Sequence, residues 1–186
     1  MPDPHATLGT SLLILARDAI ASRFGAASRP FDDLPELRAP GASFVTLTER
    51  GALRGCIGSL SAYRPLIDDV CENACAAAFS DPRFPPVRAG EFDGVRVEVS
   101  LLTPATPLSF RDEADALAQL RPHIDGVILR LRHYRATFLP QVWEQLPDPK
   151  AFLAHLKQKA GLPADYWSPD LALERYQVEK WKEPTT

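Results

Sequence analysis

The chain has 186 residues, a formal net charge of −3, and an ordinary globular composition of 45% hydrophobic and 24% charged residues. A chain of this length buries enough apolar surface to fold as one domain, with room for a larger and a smaller lobe, and it needs no disulfide or structural metal. The small negative charge argues against a dedicated nucleic-acid-binding protein, whose footprint is a basic stripe.

The cysteines and the N-terminal segment indicate where the protein resides. The three cysteines, Cys56, Cys71 and Cys75, form no regular framework, and an odd number favours reduced thiols in a cytosol. The apolar run at residues 12–16 is too short for the core of a signal peptide. No stretch approaches the roughly 20 apolar residues of a membrane span. We therefore expect a cytoplasmic protein with no membrane partner.

The first half of the chain predicts a helix, a hairpin and a second helix. Apolar residues recur at helical spacing over residues 10–24. Residues 43–60 alternate apolar and polar positions around the turn sequence ERG, which predicts two strands. Pro65 begins a predicted helix that runs to about Ser80, since proline suits a first helical turn. The proline-rich residues 81–87 that follow are predicted to be irregular.

The second half of the chain mixes strands and helices without strict alternation. Residues 93–104 place Val95, Val97 and Val99 on one face, which predicts a strand of an antiparallel sheet with one covered face. Predicted helices follow over residues 112–120, 141–146 and 150–160, and predicted strands begin at Gly126 and span residues 171–181. This order favours an α+β fold over a doubly wound sheet.

Residues 53–58, LRGCIG, place a cysteine between two glycines. In an extended chain, Arg54 and Cys56 would share one face, about 7 Å apart, and Gly55 would lie on the other. A glycine removes side-chain cover and permits close approach, and a nearby cation favours the reactive thiolate. The alternative is a small buried cysteine in a crowded sheet, since free cysteine is among the most buried residue types.

Six strings in the same order resemble the AMMECR family, whose domain is known in prokaryotes as protein A of the AmmeMemoRadiSam system. LRGCIG is the most recognisable string of that family. The others are FVTL at residues 44–47, DPRF at 81–84, VEVSLL at 97–102, FLPQVWEQLPD at 138–148 and KAGLP at 159–163. The match runs roughly from residue 8 to residue 182, so the resemblance implies a single AMMECR-type domain over residues 1–186.

The resemblance also implies a fold and a set of partners. The expected fold is a two-lobed α+β domain with mainly antiparallel sheet flanked by helices. The expected partners are a Memo-type protein, which resembles metal-dependent dioxygenases, and a radical SAM enzyme. The family supplies candidate residues rather than a reaction.

The motifs then supply candidate site residues. Cys56 is the candidate reactive thiol, and Glu98 is a candidate to orient groups or accept a proton. Arg54 and Arg83 are candidates for binding a small anionic substrate through paired hydrogen bonds. The alternatives are structural: Glu98 forms a buried ion pair with Arg54 or Arg83, and Arg83 clamps a helix to the next strand.

Further substrate-binding candidates come from the same strings. They are Gly55, Gly58, Asp81, Ser100 and Gln141. Asp81 has the alternative of capping its own turn. Trp143, in the same string as Gln141, is predicted to belong to the core.

The sequence predicts no metal site and no cofactor. Cys71 and Cys75 lie four residues apart on a predicted helix, where they form half of a metal site or, in the favoured interpretation, packed core. The four histidines, His5, His123, His133 and His155, form no HExxH pattern. A glycine-rich phosphate loop and a dinucleotide-binding fingerprint are also missing from the sequence.

Three functions remain open at this point. The first is an enzyme, or an enzyme's substrate-handling component, that uses Cys56 in thiol-dependent group transfer or hydrolysis. The second is a non-catalytic adaptor for the Memo-type and radical SAM partners. The third, RNA binding, depends on the basic residues between Arg130 and Arg135, whose alternative is a solvated strand end.

Overall fold

The structure is a computed structural model that describes residues 4–184. The chain divides into two compact units, the first formed by residues up to Leu102 together with Glu179 onward, and the second by Thr103–Val178. Each unit combines helices with its own sheet, and every strand pair of known register is antiparallel. The predicted α+β fold is therefore confirmed.

The first unit contains five strands and four α-helices among the described residues. In chain order they are α1 (Pro4–Ala21), α2 (Pro35–Arg38), β1 (Pro40–Glu49), β2 (Ala52–Gly58), β3 (Arg64–Pro65), α3 (Leu66–Phe79), α4 (Ala89–Phe92), β4 (Val95–Leu102) and, after the second unit, β9 (Val178–Lys182). A 3-10 turn, Ser22–Phe24, continues α1 and ends at Gly25, whose φ is 84°. Glycine suits this left-handed position, because it has no Cβ to clash.

The five-stranded sheet has the order β2-β1-β4-β9, with the short β3 also paired to β1. One face of the sheet is apolar and packs against α1 and α3 in a single core. Val45 and Leu47 of β1 and Val97 of β4 belong to this core. Side chains alternate along a strand, so the polar residues of β1, β2 and β4 fall on the opposite, outer face.

The second unit packs a four-stranded sheet against two helices. Its elements are β5 (Thr106–Pro107), α5 (Glu113–Gln119), β6 (Gly126–Leu131), β7 (Tyr134–Phe138), a 3-10 helix (Pro140–Glu144), α6 (Pro149–Ala160) and β8 (Ala172–Tyr176). The strand order of this sheet is β5-β8-β6-β7. Trp143 lies at the centre, where it stacks on Phe152 and donates to the carbonyl of Asp125. The prediction that Trp143 belongs to the core is confirmed.

The predicted strand over residues 171–181 is wrong as a single element. The chain leaves the second sheet after Tyr176 and enters the first sheet at Val178, so two strands of different sheets replace it. The helices of the described residues include none that is both long and apolar enough to cross a membrane.

Candidate functional site

Cys56 lies on β2, at the edge of the first sheet, directly opposite Thr46 of β1. The Cys56 Sγ is 3.3 Å from the Thr46 Oγ1, within hydrogen-bonding reach. The cysteine is half-buried rather than enclosed in the apolar core. The alternative of a fully buried cysteine is therefore not what the structure shows.

The DPRF string holds the main chain of Cys56 on both sides. The Cys56 N–H donates to Asp81 Oδ2 at 2.9 Å, and Arg83 Nη2 donates to the Cys56 carbonyl at 3.1 Å. Because β2 is an edge strand, these main-chain groups point away from β1 and would otherwise lack a strand partner. Asp81 and Arg83 therefore stand in for a neighbouring strand at the position of the thiol.

Asp81 and Arg83 also form an ion pair with each other. Asp81 accepts hydrogen bonds from the Arg83 Nε and Nη2, at 3.0 and 2.7 Å, and from the Arg83 N–H. The Arg83 guanidinium, followed by the Cys56 N–H, holds the pKa of the Asp81 carboxyl well below its usual range. The same hydrogen bond raises the pKa of Arg83. The Asp81 side chain is buried, whereas 55% of the Arg83 side chain stays exposed.

Arg54 lies at an irregularity in the pairing of β1 with β2. The register between β1 and β2 shifts between Leu47 and Thr48, so Leu53, and not Arg54, lies opposite Thr48. The extra residue of this bulge interrupts the alternation that the sequence predicted. Arg54 instead donates to the carbonyl of Pro85 and to Glu91, and this hydrogen bond lowers the pKa of the Glu91 carboxyl.

The structural alternative for Glu98, an ion pair with Arg54 or Arg83, is corrected to a pair with Lys182. Glu98 lies opposite Thr46 on β4, so β1 separates it from the thiol strand. Its carboxylate pairs with Lys182 of β9 at 2.7 Å, and this hydrogen bond raises the pKa of Lys182. Glu98 and Cys56 thus flank Thr46 from opposite sides.

Close packing explains why both positions 55 and 58 in LRGCIG are glycine. A Cβ at Gly55 would lie 2.1 Å from the carbonyl oxygen of Ala77 in α3, and one at Gly58 would lie 2.2 Å from the ring of Phe44. Gly55 faces the core helix, away from the thiol side chain. A substrate contact at either glycine would therefore involve main-chain atoms.

The two remaining candidates lie in different units. Ser100 is opposite Phe44 on the outer face of the first sheet and is 7% exposed. Gln141 is an exposed residue of the 3-10 helix in the second unit. The geometry of the first unit therefore brings Asp81 and Arg83 to Cys56 and places Glu98 two strands away from it. Arg54 binds Pro85 and Glu91.

Cys71 and Cys75 occupy a different environment from Cys56. Both lie on α3 and face α1, where the Sγ of Cys75 is 3.4 Å from the Ala19 carbonyl oxygen. Burial raises the pKa of Cys71 to about 11 and also raises that of Cys75. Among residues 4–184, no three His, Cys, Asp or Glu side chains are grouped so that they could hold a metal ion.

Sequence reasoning missed Thr46 and Lys182. The alternation in FVTL placed Thr46 on a polar face, but only the strand register sets it opposite both Cys56 and Glu98. Lys182 lies 84 positions beyond Glu98, on a strand that enters the sheet after the second unit. We call Cys56, Thr46, Glu98 and Lys182 the polar row, which offers a thiol, a hydroxyl, a carboxylate and an ammonium group across four adjacent strands.

Comparison with known proteins assigns the chain to a family. The sequence profile named AMMECR1 matches residues 13–181. A protein of Methanothermobacter thermautotrophicus is 41% identical over 180 residues, which cover 94% of each chain. A protein of Sulfolobus acidocaldarius is 37% identical over 96% of this chain and 81% of its own length.

A solved structure agrees with this relationship. The crystal structure of the uncharacterized protein PH0010 from Pyrococcus horikoshii is similar, with a TM-score of 0.74 and 36% sequence identity. The similarity covers 92% of this chain and 89% of that one. The profile match and the relatives extend over both units, from α1 to β9. The chain therefore belongs to the AMMECR1 family.

Proposed function

We propose that this protein uses Cys56 as a reactive thiol, either as an enzyme or as the component that handles the substrate of one. The observation that carries the proposal is the fixed main chain of Cys56, held by Asp81 at its N–H and by Arg83 at its carbonyl. Fixing a nucleophile while leaving its side chain accessible is what covalent catalysis needs. The reaction class is thiol-dependent group transfer or hydrolysis, without a metal ion of the protein's own.

The polar row supports roles for the neighbouring groups. A hydroxyl that donates to sulfur stabilises the thiolate, and Thr46 is within reach to do so. In the transfer step, the thiol of Cys56 would lose its proton to a base, and its sulfur would bond to the transferred group as the bond to the leaving group breaks. The leaving group would then take the proton from that base. Glu98, on the other side of Thr46, is the proposed proton acceptor, and its carboxylate pairs with Lys182.

The proposed substrate carries a small anionic group. Arg83 is the stronger candidate to bind it, because 55% of its side chain is exposed, against 12% for Arg54. The main chain at Gly55 and Gly58, together with Ser100, is proposed to line the same region of the first unit. Gln141 remains a separate proposed substrate contact within the second unit. Asp81 would contribute by holding Arg83 in place.

Family membership supports a cellular setting for this chemistry. We propose that the protein acts in the cytoplasm as protein A of the AmmeMemoRadiSam system, with a Memo-type protein and a radical SAM enzyme as partners. A second function, a non-catalytic adaptor for those partners, is favoured by one observation: the guanidinium groups of Arg54 and Arg83 both bind residues of this chain.

Selective alkylation tests the proposal. At about pH 7.5, iodoacetamide should modify Cys56 faster than Cys71 on the order of tenfold, because burial raises the pKa of Cys71 to about 11 and leaves it little thiolate. Cys75, whose pKa burial also raises, should likewise react slowly. Mass spectrometry of proteolytic peptides over time measures the three rates.

Two controls make the result specific. In about 6 M urea the three rates should converge, because unfolding removes the differences in burial. Equal or slower modification of Cys56 in the folded protein would contradict a thiolate role. If Cys56 reacts fastest but Cys56→Ser keeps full pathway activity in cells, the adaptor function is the correct one.

A further inference from the structure

Residues 81–88, which we call the 81–88 loop, follow α3 and lie against the edge of β2. Asp81 and Val87, near its two ends, are buried, and the N–H of Val87 donates to the carbonyl of Ala78 in α3. Most of the side chains between these two residues are exposed. Apolar burial therefore contributes little to the middle of the loop, and polar contacts are left to fix it.

The prolines of the 81–88 loop limit which polar contacts it can make. Pro82, Pro85 and Pro86 have no N–H, so the loop cannot pair with β2 as a regular strand. At these positions it offers carbonyl groups, which need a donor from another element. A side chain of β2 that donates to such a carbonyl can hold the loop where a strand partner cannot.

Arg54 of β2 supplies that donor. Its Nη1 donates to the carbonyl of Pro85 at 2.8 Å, and its Nη2 donates to Oε1 of Glu91 at 2.7 Å. The same Glu91 oxygen accepts from the N–H of Arg88, just before α4, at 2.8 Å. The Arg54 side chain is largely buried, so solvent screens these contacts less than it would at the surface. One guanidinium group thus joins β2 to the second half of the loop and to α4.

The bulge in β2 gives Arg54 its special position. Leu47 of β1 lies opposite Gly55, and Thr48 lies opposite Leu53, so Arg54 is the extra residue between them. A bulge redirects a side chain out of the regular alternation of a strand. The irregularity of β2 and the contacts of Arg54 therefore agree on one role, which is to bind the loop beside the strand.

The first half of the 81–88 loop is held two residues farther along the same strand. There, Asp81 accepts from the N–H of Cys56, and Arg83 donates to the Cys56 carbonyl. Arg54 and Cys56 are thus two points at which β2 binds the loop. If the contact at Arg54 is lost, the loop keeps only its contacts at Cys56 along this strand edge, and these should open more often.

We propose that Arg54 is a positioning residue, which holds the 81–88 loop against β2 so that Asp81 and Arg83 reach the main chain of Cys56. Arg54 acts through the loop and makes no contact with substrate. The bearing of this role on chemistry rests on the proposed function, because a fixed main chain matters to the reaction only if Cys56 is the nucleophile.

Amide hydrogen exchange of the full chain, followed by NMR spectroscopy near pH 7, tests this role. In Arg54→Met, which keeps an apolar stem, the Cys56 N–H should exchange about tenfold faster, because its acceptor Asp81 is held less firmly. The amides of β4 should change by less than about twofold. Arg54→Lys should give an increase of about threefold, because an ammonium group cannot bind both acceptors in the geometry of a guanidinium group. This milder variant also provides the test if Arg54→Met does not fold.

The matched control is Arg38→Met. Arg38 donates two hydrogen bonds to Asp33 in the same unit, so the same chemical change removes an ion pair elsewhere. Exchange of the Cys56 N–H should stay within about twofold of the unmodified protein. An unchanged Cys56 N–H in the Arg54 variants would overturn the proposal. Equal acceleration throughout the first unit, or an equal effect of the control, would overturn it as well.

Alkylation by iodoacetamide separates this proposal from the proposed function. In Arg54→Met the rate at Cys56 should fall about threefold, because Arg83 no longer keeps its positive charge beside the thiol. If Cys56 reacts fastest of the three thiols but neither its rate nor its N–H responds to Arg54→Met, the positioning role is wrong and the reactive thiol stands. If Cys56 does not react fastest, yet its N–H alone loses protection in the variant, the reactive thiol is wrong and the placement of the loop by Arg54 stands.

Discussion

The main chain at Gly55 passes so close to α3 that no side chain fits between them. A Cβ there would lie 2.1 Å from the Ala77 carbonyl oxygen, which belongs to a rigid helix. The glycine next to the candidate thiol thus sets the distance between β2 and the core. Packing against α3 is therefore sufficient to explain a glycine at position 55, whether or not a ligand binds on the outer face.

Replacement of Gly55 by alanine should therefore destabilise the fold. We expect Gly55→Ala to lower the free energy of unfolding by about 1–3 kcal/mol, because β2 or α3 must shift to admit the methyl group. Urea denaturation measures the change.

Gly90→Ala is the matched control, since a Cβ at that helical position meets nothing within 4 Å. It should be neutral or stabilise by up to about 1 kcal/mol. Equal effects of the two substitutions would contradict the packing argument.

Only some of the contacts around Cys56 could be predicted from the sequence. The strand, the polar face and the DPRF string are all visible in the sequence. The bulge at Arg54 and the position of Cys56 opposite Thr46 depend on strand register, which arises from contacts between distant segments. For the same reason, the pairing of Glu98 with Lys182 could not be read from local pattern.

At the scale of elements, a buried carboxylate joins α3 to β1 and to the segment after β2. Asp69 of α3 is fully buried and accepts from the N–H and Oγ of Ser43, at 2.8 and 2.7 Å. Ser59 Oγ, Arg64 Nε and Asn73 Nδ2 donate to the same carboxylate. These contacts fix the chain immediately beyond the thiol strand.

Removing this carboxylate should be among the most damaging changes in the first unit. Asp69→Ala removes the acceptor of the buried donors and one of the two carboxylate partners of Arg64, so we expect a loss of about 3–5 kcal/mol in the free energy of unfolding. The neighbouring Asp68 is exposed on the same helix, and Asp68→Ala should change stability by less than about 0.5 kcal/mol. Thermal and urea unfolding of both variants measure the two changes in stability. A loss of less than about 1 kcal/mol for Asp69→Ala would contradict the prediction and indicate that water or a rearranged loop replaces the carboxylate.

Elements with strong local signals were predicted well. Helix α6 has Asp148 as its cap, with Oδ2 accepting from the Ala151 N–H, and it ends at Gly161 with a φ of 91°. Strand β7 was missed, because its turn, Arg132-His133, lacks the glycine or asparagine that usually marks a hairpin. A helix cap depends on residues that are close in the sequence. The Arg132-His133 turn instead depends on the pairing of β6 with β7.

At the scale of the whole molecule, the second unit is inserted into the first. Along the chain, β9 of the first sheet comes only after the residues 103–178 of the second unit. Glu183, just beyond β9, accepts from the Arg17 guanidinium of α1 and from the Val97 N–H of β4. Arg17 also donates to the Val95 carbonyl, so one ion pair fastens the returning chain to a helix and a strand.

We expect Glu183→Ala to lower the stability of the first unit by about 1.5–3 kcal/mol, because it removes charge-assisted hydrogen bonds in a partly buried position. Hydrogen exchange should show the loss at the amides of β4 first, including Val97. Lys180→Ala, at an exposed position of β9, should leave exchange nearly unchanged. An equal loss of protection from hydrogen exchange in both units would contradict a stabilising role of Glu183 that is confined to the first unit.

The insertion has a consequence for synthesis on the ribosome. Strand β4 leaves the ribosome before β9 has been synthesised. The edge of β4 that pairs with β9 therefore stays unpaired while Thr103–Val178 is translated. At a translation rate of about 5–20 residues per second, that interval lasts seconds, long enough for an open edge to meet another nascent chain. The N-terminal part of the first unit is thus synthesised early, but its sheet is completed late. The time during which the edge of β4 lacks a partner strand depends on the length of the inserted segment.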